Sequence, residues 1–268
     1  HVVILPGVPS EMREIFEQSV EPELRGAGTA TTRRRVLRVA GMAESAVEEL
    51  IAPLYRKWSD NPVTILASPG EVELHLSARG EAADAESRVA AMEADFVQVL
   101  GHRVHGRDGS DLAANVGRLL KERGKTLAFA ESCTGGVASA LLTDVPGSSA
   151  YFVGSVVPYA DAAKIGLLGV DPETIRRHGA VSEETAREMA RGARERFDSD
   201  LAASITGIAG PDGGSEEKPV GTVFFALAER GGRETAKRRL YGGDRATVRR
   251  ASAMFSLEMI RRFVVAAP

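Results

Sequence analysis

Apolar positions recur along this chain with two rhythms, a period of two and a period near 3.6, and the switches between them predict its elements. Val2-Val3-Ile4-Leu5 is a continuous apolar run that reads as a buried strand, and Pro6-Gly7-Val8-Pro9-Ser10 turns from it into an amphipathic helix beginning near Glu11. One strand and one helix bury no core, so this opening is expected to be the tail of a larger domain. Arg25-Gly26-Ala27-Gly28-Thr29 has the composition of a linker. Residues 33–40 alternate basic and apolar side chains (Arg35, Val36, Leu37, Arg38, Val39) and predict an edge strand. Over residues 43–57, Ala46, Val47, Leu50, Ile51 and Leu54 keep helical spacing, with Pro53 expected to bend or end the helix. Val63–Ala67 and Val72–Ala78 flank Ser68-Pro69-Gly70-Glu71 as a hairpin, 81–100 is an alanine-rich helix, and a short strand follows at 102–105. The order β-α-β-β-α-β describes a small split-βαβ domain.

Beyond residue 106 the pattern changes. A helix at 111–122 leads to strand Thr126–Ala130, then to Glu131-Ser132-Cys133-Thr134-Gly135-Gly136 and a helix from Val137. Strand Tyr151–Val157 and a helix at 161–168 follow, and Ser182 is placed to cap a helix over 183–196. Leu201–Ile205 is a strand running into Thr206-Gly207-Ile208-Ala209-Gly210-Pro211; strands at 220–228 and 234–241 and a helix at 245–263 complete the chain. Alternating helices and strongly apolar strands imply the α/β class, a mixed sheet covered by helices on both faces.

Composition narrows this only a little. A length of 268 residues accommodates two domains, and 43% hydrophobic with 26% charged residues excludes wholesale disorder. The 34 basic and 37 acidic side chains leave a net charge of −3, which draws the protein neither to nucleic acid nor to a membrane. One cysteine permits no internal disulfide, and a reducing cytoplasm is the expected compartment. No apolar run reaches the roughly 18–20 residues of a membrane span. His102 and His105 are the only histidines close in sequence and lack a third ligand nearby, so no metal is expected.

The candidate chemistry sits where strands end in glycine-bearing loops, at 131–136 and 206–214, because open α/β sheets bind ligands beside such carboxyl ends. Backbone N–H groups there can hold an anion, and a following helix adds its positive end. Neither loop carries a dinucleotide or P-loop fingerprint. Ser132 is positioned like a nucleophile between strand and helix, although a serine there also serves as an N-cap. No histidine is an evident base; Tyr159 and Lys164, flanking the Asp161 helix start, are the residues able to serve. Cys133, adjacent and near a helix N-terminus, is the rival nucleophile.

The run Ala130–Gly136, then Thr143-Asp144-Val145-Pro146-Gly147-Ser148-Ser149, His178-Gly179-Ala180-Val181-Ser182, the block from Gly207 to Val223 and Gly243-Asp244-Arg245 together resemble the C-terminal domain of the CinA family of competence/damage-inducible proteins. Leu5–Met12 resembles the end of that family's N-terminal domain. The resemblance implies a remnant of an N-terminal molybdopterin-binding-like domain over 1–27, a small α+β KH-type linker domain over 28–105 and a C-terminal α/β/α sandwich over 106–268. It implies nicotinamide-nucleotide amidase activity without any cofactor, and a homodimer. Carried across by motif, Ser132 is the nucleophile and Tyr159 and Lys164 its activating partners. Cys133, Thr134, Gly135, Gly136, Asp161, Thr206, Gly207, Ile208, Ala209, Gly210 and Arg245 line the nucleotide pocket, with Arg245 facing the phosphate or ribose. Where many relatives read Tyr-Ser-Asn, this chain reads Tyr159-Ala160-Asp161; Asp161 either alters the contact with the carboxamide or serves only as an N-cap. A nucleic-acid-binding role, suggested by Arg33, Arg34, Arg35 and Arg38, is the alternative; the middle domain has no G-x-x-G loop of the kind that clamps a nucleic-acid backbone.

Overall fold

The computed structural model describes residues 2–25 and 30–266. The expected linker at 25–29 therefore lies, apart from the backbone of Arg25, outside the described residues. Val2–Leu5 pairs with no strand, and Val2 and Ile4 are 91% and 90% exposed, so the expected buried strand is not formed: no neighbouring sheet covers it. Helix α1 (Pro9–Ile15) starts at the proline, which has no N–H to lose at a first turn, and passes through a widened turn at Phe16–Val20 into α2 (Glu21–Arg25).

The first globular unit runs β1 (Thr31–Ala40), α3 (Glu44–Lys57), β2 (Val63–Ser68), β3 (Glu71–Gly80), α4 (Ala82–Leu100) and β4 (Val104–Arg107). Its antiparallel sheet has the order β2-β3-β1-β4. The basic strand β1 is thus central rather than at the edge. Its charges are neutralised by neighbours instead of water: Arg35 pairs with Glu86 and Glu93 of α4, and Arg38 with Glu71 and Glu73 of β3. Helix α3 continues through Pro53, whose ring and the Glu49 residue left without that N–H both lie on its exposed side.

The second unit comprises α5 (Leu112–Glu122), β5 (Leu127–Glu131), α6 (Val137–Thr143), β6 (Phe152–Val156), α7 (Asp161–Leu168), α8 (Pro172–His178), α9 (Glu183–Arg196), β7 (Leu201–Gly207), β8 (Thr222–Glu229), β9 (Glu234–Leu240) and α10 (Arg245–Val265). Helix α8 is an element the periodicity does not reveal; its signal is local, with Asp171 capping the Glu173 N–H and Pro172 opening the first turn. The sheet order is β6-β5-β7-β8-β9, with β6, β5 and β7 parallel and β8 and β9 antiparallel.

The two faces of this sheet differ in size of side chain. Leu127, Phe129, Leu201, Ile205, Val223, Phe225 and Leu227 pack against α5, α6 and α10. Ala128, Ala130, Ala202, Ala226 and Ala228 point the other way, toward α9 with its Ala186, Ala190 and Ala193. Small residues on both sides let α9 lie close: the Ser204 hydroxyl donates to the Ala186 carbonyl at 2.5 Å, and a Cβ on Gly192 would stand 1.9 Å from the Leu168 carbonyl oxygen. Helix α10 is buried on every side from Ala251 to Ile260 because sheet, α5 and the first unit surround it. Its single buried acid, Glu258, is held by Arg261 and Arg262. The first unit docks on it through the β2–β3 turn, where a Cβ on Gly70 would meet Met254 Cβ at 2.6 Å, and through Arg261, which donates to the His102 carbonyl at 2.5 Å. His105 is used internally, in a buried hydrogen bond with Glu71.

Candidate active site

Strand β5 connects through α6 to β6 on one side, while its other neighbour, β7, is reached by a crossover over the opposite face. The carboxyl ends of β5 and β7 therefore flank a switch point of the sheet, where crevices form. Ser132 prolongs β5 by one bond, its N–H donating to the Ile205 carbonyl at 2.8 Å. Just before it, Glu131 is completely buried, and its carboxylate accepts from the N–H groups of Gly136 (3.1 Å), Ala138 (3.0 Å) and Ser139 (2.8 Å) and from the Ser139 hydroxyl (2.5 Å). Gly135 and Gly136 have φ of +60° and +96°, left-handed values that fold the loop back onto this carboxylate at no steric cost. The positive end of α6 is consequently occupied by the protein's own anion. Gly135 N–H is also spent, on the Ser132 carbonyl at 3.2 Å. Arg249 steadies the turn from α10, donating to the Thr134 carbonyl through Nε (3.2 Å) and Nη2 (2.8 Å).

A cleft of about 260 Å³ lies between this loop, the start of α7, the loop after β7 and the start of α10. It brings together Ser132, Cys133, Tyr159, Asp161, Lys164, Arg245 and the whole run Thr206–Gly210. Thr134, Gly135 and Gly136 do not line it; they form the turn behind Ser132. Ala180, Val181, Asp212 and Gly213 also line it and were not singled out from the sequence. For Ala180 a signal exists in the Gly179–Ser182 run, because the Thr206 hydroxyl donates to the Ala180 carbonyl at 2.8 Å.

Lys164 is the least expected side chain in the cleft. It is 2% exposed, and its Nζ donates to the Tyr159 backbone carbonyl at 3.2 Å. Burial disfavours the ammonium form and lowers the pKa, while the Asp161 carboxylate, 3.6 Å away, opposes that shift. The Tyr159 hydroxyl meets Arg245 instead of Lys164, accepting from Nη2 at 2.7 Å, while Arg245 Nη1 donates to the Gly210 carbonyl at 2.8 Å. Asp161 does not cap α7: Ala160 occupies that position and no side chain caps the helix. Cys133 is 3% exposed, and burial, together with the Glu131 charge, pushes its thiol up to about 12. A thiol with that pKa supplies almost no thiolate near neutrality.

A helix-flanked mixed sheet with serine and a desolvated lysine in its switch-point crevice is the class of architecture these observations define. Residues 109–264 match the family profile of the CinA C-terminal domain, and residues 34–106 match that of the damage-inducible protein CinA KH domain. The chain belongs to the CinA family. A CinA-like protein of Solibacter usitatus is 42% identical over 97% of this chain and 63% of its own length, and one of Synechocystis is 44% identical over 97% of this chain and 64% of its own. The chain thus spans just under two thirds of the length of these relatives. Among solved structures, the competence/damage inducible protein CihA of Agrobacterium tumefaciens is similar with a TM-score of 0.54 and 42% identity, covering 55% of this chain and 90% of that one. The competence damage-inducible protein A of Klebsiella pneumoniae gives a TM-score of 0.57 and 37% identity, covering 59% of this chain and 97% of its own.

Proposed function

We propose that the C-terminal domain is an amidase that hydrolyses the carboxamide of nicotinamide mononucleotide to the carboxylate and ammonia, with Ser132 as nucleophile. The observation that carries this reading is the desolvated Lys164 amine in the same cleft as Ser132. An ammonium stripped of water loses its proton more readily, so neutral Lys164 takes the proton of the Ser132 hydroxyl as the oxygen attacks the carboxamide carbon. The Cys133 amide, next to Ser132 on the cleft wall, is the candidate donor to the oxyanion, a contribution of about 3–4 kcal/mol in comparable sites. Lys164 then returns the proton to the departing nitrogen, ammonia leaves, and water, deprotonated by the same amine, cleaves the acyl-serine ester.

Arg245, on the wall of the same cleft, supplies the cation for a phosphate. Tyr159 holds that guanidinium rather than relaying the serine proton. Non-enzymatic nucleic-acid binding is disfavoured by the arginines of β1, since Arg33, Arg35 and Arg38 already face carboxylates and Arg34 bonds His75.

The test is ammonia release from nicotinamide mononucleotide by the wild type, Ser132→Ala and Cys133→Ala. Loss of release in Ser132→Ala alone is the expected result. A folded wild type that releases no ammonia contradicts the reading.

A further inference from the structure

We propose that Asp161 determines specificity by recognising the positive charge of an N-substituted pyridinium ring, so that the cleft prefers the oxidised, cationic nucleotide to its neutral 1,4-dihydro form. This rests on the amidase reading of the same cleft.

The ordinary occupation for an aspartate at a helix start is capping, and here it is excluded: Ala160 holds the N-cap position and the Asp161 side chain caps no N–H. The carboxylate instead lines the cleft, with its side chain 56% exposed. Its one ion-pair contact, Lys164 Nζ at 3.6 Å, is too long for a hydrogen bond. Asp161 also works against the base. Its charge favours the ammonium form of Lys164, whereas burial favours the neutral amine that the reaction needs. A carboxylate with that cost beside the general base is explained if it binds something else during catalysis.

The substrate offers a fitting group. In an N-ribosylated nicotinamide the ring nitrogen is cationic and stands two ring bonds from the carbon bearing the carboxamide. Because Ser132, Lys164 and Asp161 line one cleft of about 260 Å³, a carboxamide at Ser132 leaves the ring cation within that same cleft, where Asp161 is the carboxylate on α7. The phosphate, at the far end of the same molecule, is left for Arg245, which the Gly210 carbonyl and the Tyr159 hydroxyl fix in place. The cleft thus holds both a carboxylate and a fixed guanidinium, one for the ring cation and one for the phosphate anion of the same ligand. The dihydro nucleotide has the same phosphate and nearly the same shape but no ring charge. The other carboxylate lining the cleft, Asp212, lies on the loop after β7 rather than on α7.

The experiment measures kcat/KM for ammonia release from the oxidised and the 1,4-dihydro mononucleotide in the wild type, Asp161→Asn, Asp161→Ser and Asp212→Asn, at a pH above the acid limb of each. The two amides differ in intrinsic reactivity, but that difference cancels when the oxidised-to-reduced ratio is compared between variants. The ratio is expected to fall on the order of tenfold in both Asp161 variants, as for one charge pair near a half-open surface, and to stay unchanged in Asp212→Asn. An unchanged ratio in the Asp161 variants, or a fall in Asp212→Asn instead, overturns the assignment. Wild type that releases ammonia from neither nucleotide fails at the earlier step, the amidase reading itself.

Discussion

Two loops of the cleft follow neighbouring parallel strands, yet they satisfy their backbone polar groups in different ways. The loop after β5 is closed on itself: Glu131 collects three N–H groups and a hydroxyl, and Arg249 takes the Thr134 carbonyl. The loop after β7 bonds outward instead: the Ile208 N–H donates to the Thr222 carbonyl at 2.9 Å and the Ile208 carbonyl accepts from the Gly221 N–H at 2.7 Å. Its Gly210 carbonyl accepts from the guanidinium of Arg245, and Ile208, Ala209 and Gly210 line the cleft beside Thr206 and Gly207 at the end of β7. A helix N-terminus next to a glycine pair looks like a phosphate site, but a buried carboxylate already fills this one, so under the proposed function the anion is assigned to Arg245 and the loop after β7.

Breaking each side of this comparison should give different signatures. Ser132→Ala removes the nucleophile and is expected to lower kcat by about a thousandfold or more with unfolding unchanged, read by ammonia release and urea titration. Glu131→Ala leaves three amides and a hydroxyl in the interior without an acceptor; a loss of about 3 kcal/mol of stability is expected by urea unfolding, accompanied by a fall in kcat. Arg245→Ala removes the side chain that meets the Gly210 carbonyl of the loop after β7. Its expected effect is a rise in KM of about ten- to a hundredfold, the worth of a charge-assisted contact, with the urea midpoint nearly unmoved.

The remaining two are smaller. The rate should rise with pH as Lys164 loses its proton, and Asp161 holds that proton on; Asp161→Asn therefore moves the acid limb of kcat/KM to lower pH. A limb that moves to higher pH, or not at all, contradicts the role of Lys164 as base. Cys133→Ala is expected to retain activity within about threefold, and the wild-type thiol to react slowly with alkylating reagents, since burial keeps it protonated.

The same contrast separates what the sequence announces from what it conceals. The apolar runs of β5 and β7 and the Ser182 cap of α9 are local patterns, and the elements form within a residue or two of where those patterns predict. The β-α-β-β-α-β order of the first unit is legible for the same reason. The central placement of β1 is not, because its arginines look solvent-facing until the acids of α4 and β3, dozens of residues away, are folded against them. In the cleft, Ser132, Lys164 and Arg245 could be singled out by residue type and motif, but the burial of Lys164 could not; a lysine on a short helix ordinarily faces water. Nor could the occupation of α6 by Glu131, since an acid at a strand end carries no sign of which amides it will reach. Asp161 shows the converse. Its position suggests a cap, and only the backbone reveals that Ala160 has taken that place.

The measurement that bears most directly on a serine nucleophile is capture of the acyl intermediate by hydroxylamine during turnover of nicotinamide mononucleotide. Wild type and Cys133→Ala are expected to form the hydroxamate in competition with the acid, and Ser132→Ala to form none. Hydroxamate from Ser132→Ala, or its loss in Cys133→Ala while Ser132→Ala retains it, would contradict Ser132 as the attacking group.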